Sequence, residues 1–361
     1  MQIGIVGLPY SGKSTLFQTI TKTHLDAAAL GKNESHQAII KVPDERLLRF
    51  AEYFNPKNVV FTTIDLVDVV GLKKGDSGST QFTSNFLGKV KTNDALVQVV
   101  RLFNNNAVPH PDGSVDMLRD IVSFETEFIL SDLAILETRI DRIKKQIHKS
   151  GDDTSKRELP TLTKAYDLLH REIPLRGADF SSEELFILKT YQLLTLKSML
   201  IALNLDENQR HQTEEYIATV RKIKEGKNTK VLSFLGKVEM EMSELADEDA
   251  VLFMSEYGIK ESALHMLIRE AYDLLGLQSF FTVGEDECRA WTIKKGMTAQ
   301  EAAGVIHTDF VNKFIRAEVV GYTDFIENDC SFPRVKERGV WRLEGKEYIV
   351  KEGDIMSIRH S

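Results

Sequence analysis

The chain has 361 residues, 42% of them apolar and 28% charged, with a formal net charge of -8. That length holds two or three domains of ordinary size, and the apolar fraction excludes a largely disordered chain. No apolar run approaches the ~20 residues needed to span a bilayer, so no membrane association is expected. The opening MQIGIVGLPYSGKS has Gly, Pro and Lys in its apolar stretch and does not read as a secretory leader. Two cysteines, Cys288 and Cys330, exclude a disulfide framework, and a reducing, cytoplasmic setting is the expectation. The acidic balance argues against a non-specific polyanion binder, while leaving room for a local basic patch.

In chain order, residues 2–7 predict a buried strand, 13–22 a helix and 24–38 a loop. Residues 43–54 open with Pro-Asp and predict a helix with Leu47, Leu48, Ala51 and Phe54 on one face. Residues 59–70 predict a strand pair, 73–85 a polar Gly/Ser-rich loop, and 95–102 another buried strand. From Ile129 the apolar positions Leu133, Leu136, Ile140, Ile143 and Ile147 alternate steps of three and four, and Leu159, Leu162, Tyr166, Leu169 and Ile173 repeat this after a polar turn at 149–158. That spacing predicts an antiparallel helical hairpin, with no convergent polar groups in its seam. Strands at 199–205 and 229–234, and helices at 212–224 and 259–275, resume the α/β alternation. FFTVG, RAWTI, RAEVVGY, YIV and MSIRH then predict short strands around one helix at 298–307. The expected architecture is α/β: a doubly wound, mainly parallel sheet at 1–120 and 197–277, a helical arm at 121–196, and a small α+β module at 278–361.

Gly7-Leu8-Pro9-Tyr10-Ser11-Gly12-Lys13-Ser14 fits G-x-x-x-x-G-K-[ST] between a strand and a helix, the setting a phosphate-binding loop requires. Its glycines let the backbone N–H groups from Tyr10 to Thr15 turn toward one centre, and the helix start adds positive partial charge. Lys13 is placed for the β- and γ-phosphates, and the Ser14 hydroxyl for Mg²⁺. A chance Gly-rich turn is the competing reading. The strand ending at Asp68 makes that residue a second Mg²⁺ candidate, and Gly71 a γ-phosphate contact through its N–H. Leu72 follows, where GTPases of the Ras type carry a glutamine that orients water. Asn204-Leu205-Asp206-Glu207 stands at a strand end where guanine-specific switches carry N-K-x-D. Here leucine replaces the lysine and Glu207 the aspartate; a polar strand end is the competing reading.

Together these residues resemble the YchF subfamily of Obg-like ATPases, in the translation-factor class of P-loop GTPases. The resemblance covers nearly the whole chain: GLPxxGKSTLF at 7–17, VPDERL at 42–47, D-x-x-GL-x-KG at 68–75, VVR-x-F at 99–103 and N-x-x-E at 204–207. It is densest in RAWTI (289–293), AAGVIHTDF (302–310), FIRAEV (314–319) and LEGKEYIVKEGDIM (343–356). It implies a coiled-coil arm, a C-terminal TGS module of β-grasp fold, and Mg²⁺-dependent hydrolysis of ATP, with GTP weaker. It also implies a monomer that meets the ribosome or structured RNA through the arm and the TGS-like module. The alternative is a nucleotide-binding switch with little hydrolysis. In this family a histidine after the VVR-x-F strand stands in for the missing glutamine, which implies His110; His307 is the rival, with a structural role. Two departures are plain. Tyr10-Ser11 replace the family's Asn-Val, whose asparagine goes with potassium use, and Lys32 stands roughly where a Mg²⁺-binding threonine is usual.

Overall fold

The computed structural model describes residues 1–22, 35–69, 72–74, 80–150, 152–224, 226, 228–259 and 261–361. Its strands are β1 (Gln2–Val6), β2 (His36–Lys41), β3 (Asn58–Val60), β4 (Thr63–Asp68), β5 (Leu72–Lys74), β6 (Thr80–Phe82), β7 (Ala95–Arg101), β8 (Ser198–Asn204), β9 (Thr229–Phe234), β10 (Leu277–Thr282), β11 (Glu287–Lys294), β12 (Phe314–Gly321), β13 (Arg342–Glu344) and β14 (Asp354–His360). The chain divides into two compact units, 1–39 with 65–270, and 40–64 with 271–361.

The first unit is built on a six-stranded sheet of order β2-β4-β1-β7-β8-β9. β1 runs parallel to β4 and β7, and β8 parallel to β7 and β9. All seven residues of β7 are buried, as a central parallel strand covered on both faces requires. Val6, Leu96, Val100, Ile201, Leu203 and Val231 pack there with Phe86, Phe124 and Phe128. The parallel α/β sheet expected from the sequence is present. Several local readings differ. Part of the expected loop 24–38 is strand β2. The expected loop 73–85 contains the antiparallel pair β5–β6 and leads into a helix, Ser84–Lys91, that Thr83 caps. Helices Gly236–Ser243 and Asp247–Glu256 were not foreseen, because both are short and carry no sustained apolar period.

The arm is a 34-residue helix, Met117–Ser150, followed by Asp153–His170. Leu136, Ile140 and Ile143 meet Leu162, Ala165 and Leu169, with Leu133, Ile147, Leu159 and Tyr166 at the margins. The turn is shorter than the expected 149–158, because Asp152 caps the second helix through Ser155 N–H. The second seam also ends early: Ile173 lies beyond the helix and is 40% exposed. At its root the arm does hold convergent polar groups. Buried Asp132 accepts from Leu194 N–H, Thr195 N–H and Thr195 Oγ1 at 2.7–2.9 Å. Buried Arg176 donates to both carboxylate oxygens of Glu125 at 2.8 Å and to Lys197 O.

The second unit holds a sheet of order β13-β12-β14-β10-β11-β3. Adjacent Phe280 and Phe281 on β10 point to opposite faces. Phe280 packs with Ala299, Ala302, Ala317 and Val319, and Phe281 with Leu47, Phe50, Cys288, Val320, Phe325 and Cys330. The segment 40–64, expected with the nucleotide-binding part, groups here instead. β3 and β4 are not a pair: β3 runs parallel to β11, with Val59 opposite Cys288. Helix Glu45–Phe54 covers one sheet face, and Arg46 bonds Asp44 and Glu352 while lying 4.9 Å from the Phe281 ring. A face of Leu47 and Phe50 needs a core, and the one it meets is more than 200 residues away in sequence. The expected strand at 348–350 is only an isolated bridge from Ile349 to Thr298. Among the described residues, no helix is long and apolar enough to cross a membrane.

Candidate functional site

The carboxyl ends of β1, β7, β8 and β9 surround a cleft of about 850 Å³. In a parallel sheet this is where strand ends and helix starts leave backbone groups free for a ligand. Tyr10, Gly12, Lys13, Ser14 and Thr15 line one part; Asn204, Leu205 and Glu207 line another. The cleft therefore brings together most of the binding residues expected from sequence. Gly71 and Lys32 lie outside the described residues.

The phosphate loop runs from β1 into helix Lys13–Thr21. Gly7 has φ +145° and Gly12 φ +97°, and a Cβ on either would run into Val99 O or Asn204 Nδ2. Glycine is required at both by conformation and by space. Tyr10 also has positive φ (62°) and is exposed, whereas Ser11 is buried. Lys13 Nζ donates to Leu8 O at 2.8 Å. Burial brings its ammonium down to about 8, opposed by the charge of Asp68. Ser14 Oγ donates to Asp68 Oδ2 at 2.9 Å, and Asp68 Oδ1 is buried with no partner. Burial pushes the Asp68 carboxyl up, against Lys13, Ser14 and His36. A hydroxyl beside a carboxylate with one unsatisfied oxygen is a hard-oxygen donor set that fits Mg²⁺.

Asn204 acts as a brace. Its Nδ2 donates to Ser11 O at 3.1 Å and its Oδ1 accepts from Gly236 N–H at 3.1 Å, tying the phosphate loop to the turn after β9. A Cβ on Gly236 would sit 2.6 Å from Asn204 Oδ1, so this contact also needs glycine. Leu205 is buried at 3% exposure, and Glu207 opens an exposed 3₁₀ turn. Sequence reasoning missed two walls: Phe103, Asn104, Asn105 and Val108 after β7, and Leu235 to Val238 with Met240 and Glu241 after β9. The rule that ligands bind past the carboxyl ends of parallel strands is the signal that could have found both.

His110 does not line this cleft. It is buried, with Nε2 2.9 Å from Asp120 Oδ2 and Nδ1 accepting from Asp112 N–H at 3.2 Å. His307 is exposed and caps helix Thr308–Lys313 through Asp309 N–H, a structural role.

Glu239, beside the second wall, is 2% exposed and accepts from Ala263 N–H at 2.9 Å. Burial pushes its carboxyl up to about 7. A folded value above the unfolded one means stability falls as pH rises from about 4.5 to 7, then levels off. Glu239→Gln is therefore expected to gain up to about 3 kcal/mol over wild type at pH 8 and nothing at pH 4. Thermal melts across that range check it; an equal shift at both ends overturns it.

A phosphate loop entering a helix from a parallel sheet, with a serine–aspartate pair beside its lysine, defines a P-loop nucleoside triphosphatase. Residues 2–131 match the family described as 50S ribosome-binding GTPase, and residues 277–361 match YchF-GTPase_C, described as a protein of unknown function. The chain is 41% identical to the ribosome-binding ATPase YchF of Haemophilus ducreyi, over 99% of this chain and 98% of that protein. It is 35% identical to human Obg-like ATPase 1, over 99% and 91%. The solved structure of the Schizosaccharomyces pombe YchF GTPase superposes with a TM-score of 0.86 at 31% identity, covering 99% of this chain and 97% of that one. The chain belongs to the YchF family of Obg-like ATPases.

Proposed function

We propose that this protein binds ATP with Mg²⁺ in the cleft, hydrolyses it slowly, and works on the ribosome, in the cytoplasm. Relatives along the full length are named ribosome-binding ATPases. The observation that carries the nucleotide reading is the cleft itself, with Lys13 and Ser14 at one part, Ser14 bonded to buried Asp68, and Asn204, Leu205 and Glu207 at another. Lys13 would leave Leu8 O for the β- and γ-phosphates, and the N–H groups from Tyr10 to Thr15 would hold their oxygens. Ser14 and Asp68 would hold Mg²⁺, which neutralises charge on the phosphate oxygens. In hydrolysis a water oxygen bonds to the γ-phosphorus, the bond to the β-phosphate oxygen breaks, and the water's protons leave with phosphate and solvent. His110 would position that water. The arm and the C-terminal module, read as a TGS domain, would meet the ribosome or its RNA. A second reading, a nucleotide switch with little turnover, is favoured by one observation: His110 is bonded away from the cleft.

Base choice tests the reading of 204–207. Leu205 supplies no ammonium, and the longer Glu207 does not reproduce the aspartate that accepts from both guanine donors, whose loss costs ~1–3 kcal/mol. Wild type is expected to bind ATP at least as tightly as GTP, and Leu205→Lys with Glu207→Asp to move preference toward GTP. A tenfold wild-type preference for GTP in calorimetry, ~1.4 kcal/mol, overturns this. Single-turnover hydrolysis of both nucleotides, with and without ribosomes, separates the ATPase from the switch.

A further inference from the structure

The stretch after β7 does two things at once. Phe103, Asn104, Asn105 and Val108 line the nucleotide cleft. Two residues later, His110 lines a different cavity, of about 10 Å³, with Leu8, Ser11, Gln98, Arg101 and Asp120. Buried Arg101 fixes the cleft wall from behind, donating from Nε to Phe103 O at 3.1 Å and from Nη2 to Val108 O at 2.8 Å. Asp120 fixes the histidine. Its Oδ2 faces His110 Nε2, while its Oδ1 accepts from Arg119 Nε and Nη2 at 3.0 and 2.8 Å.

These partners settle the imidazole's form. Asp112 N–H is a donor, so Nδ1 is the acceptor nitrogen; a carboxylate is an acceptor, so Nε2 carries the proton. The neutral ring then has its lone pair taken by Asp112 and its N–H taken by Asp120. It has nothing left with which to accept a water's proton or align its oxygen. The small cavity beside it has room for about one water and none for a phosphate.

We propose that Asp120 is a positioning residue for hydrolysis: its carboxylate holds His110 outside the cleft in a form with no free ring nitrogen, and release of that hydrogen bond admits His110 to the nucleotide. This rests on the reading of His110 as the water-positioning residue. Buried Asp120 is well placed for the role, because it sits on the arm helix Met117–Ser150 while His110 sits on the loop before it. A movement at the start of that helix stretches the Asp120–His110 contact directly. The device resembles other loops whose closure, and not the bond-breaking step, sets the rate.

Replacing the carboxylate by an amide keeps the shape and turns a charge-assisted hydrogen bond into a neutral one. Asp120→Asn is expected to raise the single-turnover rate of ATP hydrolysis ~10-fold with KM for ATP unchanged, and the rise is expected to vanish when His110→Ala is added. If His110→Ala lowers hydrolysis but Asp120→Asn does not raise it, the latch is wrong and the role of His110 stands. If His110→Ala has no effect in either background, both fall. Nitrogen NMR of wild-type protein with labelled imidazoles tests the same point without a variant at Asp120. The signal lost in His110→Ala is expected to show Nε2 protonated and Nδ1 bare; a rapidly averaging tautomer pair overturns the proposal.

Discussion

Lys13→Met is expected to weaken ATP binding about 10²–10³-fold while leaving the fold intact. Lys13 is the side-chain cation that the motif places at the β/γ position, and its Nζ rests only 2.8 Å from Leu8 O, on the loop that would cradle the phosphates. Truncating one side of a buried charge pair typically costs 2–5 kcal/mol of binding, which brackets that loss. Stability should move the other way. The ammonium is held down to about 8 by burial, so the folded state bears a penalty for keeping it charged at neutral pH. Methionine keeps the apolar stem and removes that penalty. Calorimetry with ATP and Mg²⁺ reads the first effect and a thermal melt the second. Unchanged affinity overturns the phosphate-loop assignment, and lost affinity with a collapsed melting temperature assigns Lys13 to the fold instead.

Arg176→Met is expected to cost about 3–5 kcal/mol of stability. Arg176 and Glu125 are both nearly sealed from solvent, with the guanidinium across both carboxylate oxygens and a further bond to Lys197 O. Removing the cation leaves a carboxylate buried without a partner, and that desolvation is the source of the cost. The pair joins the arm helix Met117–Ser150 to the chain that re-enters the sheet at β8. Replacing both members, as Arg176→Met with Glu125→Leu, should recover most of the loss, because an apolar pair of similar volume carries no desolvation penalty. Denaturant unfolding of the three variants checks this. A loss under about 1 kcal/mol for Arg176→Met would mean that Glu125 reaches water or takes a proton in the folded state.

Local sequence determined a good deal. The phosphate loop was legible because its chemistry is local: eight consecutive residues between a strand and a helix supply the glycines, the lysine and the serine. The parallel sheet was legible in the buried run of β7, and the arm in the spacing of Leu136, Ile140, Ile143 and Leu162. Side chains that act through distant partners were not. Asn204 reads in sequence as a base contact, yet its amide spans Ser11 and Gly236, 193 and 32 residues away. His110 reads as a residue at the nucleotide, yet Asp120 and Asp112 hold both its nitrogens elsewhere. The segment 40–64 reads as part of the nucleotide-binding domain by position, yet β3 pairs with β11 and Phe50 packs on Phe281. Periodicity reports that a face must be buried, through the spacing of Leu47 and Phe50; it does not report against what. The tertiary structure decided those pairings, because burial energy depends on which surfaces meet and not on where they lie along the chain.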